Sequence, residues 1–171
     1  MSLLLEALRK RGWTVRESNG SIPLLPDALK ARYPSVPSAV TDFLERLEVC
    51  SNADENVWFL TAEDFRKTDE DGFRWNEYEL MALEGDEGNR DAQAATRAFW
   101  NEHLPIMLAV HSDYDYIAVR VAEPNAGSIV HGFAPEWEEP SPVARSFAVF
   151  LESLAAEASS SNPEYPYSAF L

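Results

Sequence analysis

Apolar residues along this 171-residue chain follow two rhythms, one near 3.6 residues and one near 2. Leu4, Leu5 and Leu8 share a helical face, which predicts a first helix from Ser2 to about Arg11, ended by Gly12. Trp13 to Arg16 reads as a short strand, and Asn19-Gly20 as a turn. Pro26 to Tyr33 predicts a short helix stopped by Pro34. Ser38 is expected to cap a stronger helix through Val49, because Val40, Phe43, Leu44 and Leu47 stand at i, i+3, i+4 and i+7. Val57 to Leu60 reads as a strand, followed by Thr61-Ala-Glu-Asp64, a capping-box variant with Asp in place of Glu. Trp75 to Leu83 predicts a helix ended by Gly85. A polar loop is expected over 84–91, then a helix from Ala92 to Glu102 broken by Pro105.

The most informative stretch is 116–151. Strands are expected at 106–110, 116–121 and 128–132, carrying Ile117, Val119, Val121, Ile129 and Val130, β-branched residues suited to a pleated, half-buried surface. An acidic loop, Pro135-Glu-Trp-Glu-Glu139, follows. Ser141 as N-cap and Pro142 at N1 predict a last helix with Val143, Phe147, Phe150, Leu151 and Leu154 on one face. Mixed helices and short strands point to an α+β domain, with a central, mostly antiparallel sheet packed by helices.

The strand "GSIVHG", the loop "PEWEE" and the helix "VARSFAVFL", in that order, resemble the SUKH superfamily. Leu25-Pro26 opening a helix, Trp58-Phe59-Leu60 before a turn, and Phe99-Trp100 followed by Leu104-Pro105-Ile106 extend the resemblance over about 22–155. That superfamily includes bacterial immunity proteins against polymorphic toxins and yeast cell-wall assembly regulators. The resemblance implies one SUKH-like domain over 1–171, with 156–171 as a C-terminal tail. Tyr165, Tyr167 and Phe170 argue that this tail docks on the body.

A chain of this length buries about 70% of its unfolded surface without metal or disulfide staples. Cys50 is the single cysteine, so no intramolecular disulfide is expected; it is assigned to the end of a helix as a small apolar residue. The N-terminal segment lacks a signal-peptide layout and no stretch has the apolar length of a membrane span, which makes the cytoplasm the expected location. The net charge of −15 repels nucleic acid and attracts basic protein partners. Residues 1–32 are mildly basic, so the rest of the chain holds the acidic excess.

Candidate chemistry is sparse. His103, His111 and His131 stand in no metal-binding spacing, and no phosphate loop or nucleotide fingerprint occurs. No cofactor, no metal and no catalytic residue is therefore expected. A hydrolase using His131, with Ser128 and Asp113 or Asp115, is the enzymatic alternative, although Gly127-Ser128 lacks the G-x-S-x-G elbow. Asp113 and Asp115 stand two apart, on one side of an extended chain. Glu136, Glu138 and Glu139 surround Trp137, which is either an exposed anchor with a charged rim or a lid over the core. Trp58, Trp75 and Trp100 are assigned to the core or groove walls. The expected binding residues are thus Asp113, Asp115, Glu136, Trp137, Glu138 and Glu139, on one acidic face. The resemblance implies an immunity protein that occludes the active site of a toxin with a basic surface; an intracellular regulatory scaffold is the alternative.

Overall fold

Among the described residues, seven strands pair in strict chain order into one antiparallel meander. The computed structural model describes residues 2–19, 22–67, 72–111 and 113–171. The strands are β1 (Thr14–Glu17), β2 (Leu47–Ser51), β3 (Val57–Phe59), β4 (His103–Ala109), β5 (Tyr116–Arg120), β6 (Ile129–Gly132) and β7 (Ser141–Ala144). The helices are α1 (Ser2–Lys10), α2 (Asp27–Arg32), α3 (Ser38–Leu44), α4 (Glu77–Gly85), α5 (Arg90–Glu102) and α6 (Phe147–Ala158). This is the expected α+β domain.

Strands β4 and β6 are buried at every position. A sheet needs that composition where helices cover both faces. On one face Tyr116 meets Trp100 of α5 and Tyr78 of α4, with ring centroids 5.0 and 6.4 Å apart. On the other, Phe43 of α3 lies 5.5 Å from both Phe59 of β3 and Phe147 of α6. Helix α1 packs against α6 through the same stripe read from the sequence, Leu4, Leu5 and Leu8. Gly12, at φ +88°, then turns the chain into β1.

Arg11 holds the two ends of the chain together. Its guanidinium donates to the carbonyls of Ala158, Ser160 and Leu171, satisfying acceptors at the C-terminal end of α6. Phe170 is buried.

Four local expectations are corrected. The helix from Ser38 ends at Leu44, and Leu47, Val49 and Cys50 belong to β2. The spacing of Leu44 and Leu47 continues a helical rhythm, but pairing of Cys50 with Val15 across β1 overrides it. Cys50 is therefore a strand residue, and burial pushes its thiol up to about 12, leaving it little thiolate character. Ser141 and Pro142 cap no helix: they lie in the edge strand β7, where a missing N–H is tolerated. Ser146 is the N-cap of α6, its hydroxyl accepting from the Val149 amide at 3.4 Å. Pro105 lies inside β4, at a register shift, and so bends a strand instead of preceding one. The 84–91 loop shrinks to a turn, because α4 runs to Gly85 and Asn89 caps α5.

The capping variant at Thr61 holds: Asp64 Oδ2 accepts from the Thr61 amide at 2.8 Å and from its hydroxyl at 2.9 Å. The expected Asn19-Gly20 turn includes Gly20, which lies outside the described residues.

Phe147, 3% exposed and stacked against Phe150, is the hinge of the α6 packing. Phe147→Ala should lower unfolding stability by about 3–5 kcal/mol. Urea denaturation measures this, and a loss below about 1 kcal/mol would contradict the packing.

Candidate functional site

Two loops meet at one end of the sheet. The β4–β5 turn contains Asp113 and Tyr114, and the β6–β7 loop runs over 133–140. The Ala134 amide donates to the Asp113 carbonyl at 3.0 Å, which ties one loop to the other.

The anchor for this end is Tyr116, fully buried on β5. Its hydroxyl donates to the carbonyl of Trp137, so β5 grips the second loop directly. Tyr116 faces Gly132 of β6 across the ladder. A Cβ at Gly132 would stand 2.3 Å from the Tyr116 hydroxyl, so only glycine leaves room for the ring. Burial, and then the charge of Glu138, raises the Tyr116 pKa well above the tyrosine range, so the phenol stays a neutral donor.

The expected binding residues divide under this geometry. Asp113, Glu136 and Glu139 are exposed. Trp137 is 5% exposed, its ring centroid 4.5 Å from that of Tyr78; it is the lid over the core, not the anchor. Asp115 is also buried and makes no outward contact surface, because its Oδ1 is hydrogen-bonded to His131 Nε2 at 2.7 Å. Glu138 is half-buried, and its Oε1 is buried without a hydrogen-bond partner among the described residues. Asp113 and Asp115 thus part company: the left-handed Tyr114 between them, at φ +53°, breaks the extended alternation that would have kept them on one side.

Residues not anticipated as a set complete the surface. Tyr114, Phe133 and Tyr165 are exposed at 39, 38 and 64%. Among the described residues they are the exposed Phe, Tyr and Trp side chains, and Tyr114 packs on Tyr78 of α4 with ring centroids 6.1 Å apart. Phe133 stacks on His131 at 6.0 Å and Tyr165 meets the same ring edge-on at 5.2 Å. Partial desolvation, then the charges of Asp115 and Asp113, raises the Tyr165 hydroxyl pKa. The period-2 register from His131 to Phe133 was visible in the sequence; the return of Tyr165 from the tail was not.

The His131–Asp115 pair does half of what a triad would need. Its third member is missing: Ser128 lines a groove with Val130, whereas His131 lies under Phe133, Tyr165 and Phe170. The remaining ring nitrogen, Nδ1, lies 3.4 Å from the Tyr165 hydroxyl. With its ring 2% exposed, His131 fastens β6 to β5 and to the tail. Among the described residues no three His, Cys, Asp or Glu side chains gather as a metal-ligand set, and no helix is long and apolar enough to cross a membrane.

Removing His131 leaves the Asp115 carboxylate buried and alone. His131→Ala should lower stability by about 3–5 kcal/mol, and His131→Ala with Asp115→Ala should fall well short of the sum of the single losses. A double-mutant cycle in urea measures the coupling; additive losses would show that the pair contributes nothing as a pair.

Compared with known protein families, with curated proteins and with solved structures, the chain matches none.

Proposed function

We propose that this chain is a non-enzymatic protein-binding domain, an immunity protein of the cytoplasm that neutralises a toxin by occluding its active site. The partner face in this reading is the loop end of the sheet, reduced to Asp113, Glu136 and Glu139 around Tyr114, Phe133 and Tyr165. The observation that carries it is the pair of exposed aromatics packed on His131, Phe133 and Tyr165, beside exposed carboxylates on two loops joined by a backbone hydrogen bond. Aromatic anchors within a polar rim are the composition of binding hot spots.

Charge supports the same reading. At −15 the molecule draws a basic partner in by long-range attraction, and a toxin whose active site binds polyanions presents a basic surface. The SUKH resemblance of the 116–151 stretch adds the immunity role. The buried setting of His131 supports the non-enzymatic part, because a general base must reach a substrate proton.

Charge reversal tests the face. Glu136→Lys with Glu139→Lys should slow association with a purified, catalytically inactivated basic toxin domain by roughly tenfold or more at low salt and flatten its salt dependence. Tyr165→Ala should act mainly on the dissociation rate. The double reversal should keep the native thermal midpoint, since those two side chains are exposed. Stopped-flow kinetics across ionic strengths reads the outcome. An unchanged association rate in the double reversal would remove this face from the interface.

A further inference from the structure

A second surface adjoins the acidic end through Glu138 and Pro140 of the 133–140 loop. After Arg97 the sequence carries ten carboxylates and two cations, Arg120 and Arg145. Both cations line the same groove, about 750 Å³, together with His103, Phe99, Val130 and Pro142. The volume falls in the range of built ligand sites. The groove lies where the α5 side of the sheet is left uncovered past the end of that helix, and it borders β7, the last strand of the order.

Its parts are specific. Val130 and Pro142, paired across β6 and β7, put apolar surface in it. Phe99 and His103 stack with centroids 4.2 Å apart and make a flat aromatic wall. Arg120 is held by the Glu102 carboxylate at 3.3 Å and the Ala122 carbonyl at 3.2 Å. Arg145 is exposed and, among the described residues, has no carboxylate within ion-pair distance. Glu138 also lines the groove and brings its partnerless buried acceptor, Oε1. One groove therefore offers an uncompensated guanidinium beside an apolar and aromatic lining.

We infer that this groove docks an extended peptide segment bearing a carboxylate side chain, which pairs with Arg145 and Arg120 while its neighbours lie on the apolar and aromatic lining. A peptide combines these features, whereas a bare anion lacks the apolar body. A nucleic acid carries too much charge for a molecule at −15. The guanidinium fork favours a carboxylate by bidentate hydrogen bonding, and the exposed edge beside it suits an extended chain. This site shares the 133–140 loop with the acidic end, but its partner chemistry is opposite in sign.

The test is an NMR titration of the whole chain with three unlabelled peptides, acetyl-Val-Thr-X-Thr-Val-amide, where X is Glu, Gln or Lys. The Glu peptide should give saturable shifts at the amides of Val130, Val143 and Arg145. The Gln peptide should bind roughly tenfold more weakly and the Lys peptide not at all. Arg145→Glu should abolish the shifts while keeping the thermal midpoint. Three results overturn the inference: no saturable shifts at millimolar Glu peptide, equal binding of the Glu and Lys peptides, or the same shifts at the same strength from acetate or phosphate alone.

Discussion

The grip of Tyr116 on the Trp137 carbonyl organises the loop end of this molecule. A buried phenol must find an acceptor or lose a hydrogen bond in a low-dielectric interior. Here the acceptor is the backbone of a loop, so satisfying one core side chain fixes the path of 133–140. Gly132 makes the approach possible, Tyr78 and Trp100 enclose the ring, and Trp137 closes over Tyr78. The aromatic core and the outer loop are therefore one construction. A change to Tyr116 or Gly132 would reach the surface as well as the core.

The second fastening, His131 to Asp115, acts on the opposite side of the same strands. Buried polar pairs gain little net energy, but leaving one member alone is costly, so such pairs select one arrangement over its alternatives. This pair links β5, β6 and the tail that carries Tyr165. Arg11 completes the arrangement by holding the end of α6 and Leu171 to the N-terminal helix. The exposed aromatics thus stand on backbone fixed from below, the preorganisation that lowers the entropy lost in binding.

Much of the architecture was legible in the residues, because strong periodicity and burial coincide in the strands near 57–60, 106–110, 116–121 and 128–132. Where the reading failed, a local signal competed with a distant partner. Leu47 fits a helix by spacing and a strand by pairing to β1, and only the tertiary structure decides. Ser141-Pro142 has the chemistry of a helix start, yet proline is equally at home on an edge strand. The site was legible only in part. Asp113, Glu136 and Glu139 are exposed as their polarity suggests, whereas Asp115 and Trp137 turn inward toward His131 and Tyr78, partners far apart in the chain. No local pattern encodes those meetings, nor the return of Tyr165 from the tail.

The central claim is that the loops at 113–114 and 133–140 act as one partner face. Hydrogen exchange read by mass spectrometry, with and without a bound, inactivated basic toxin domain, tests it most directly. The account predicts that amides in both loops and around Tyr165 gain protection together on binding, while the β1 edge is unaffected. Protection confined to another surface, with both loops exchanging as in the free protein, would contradict it.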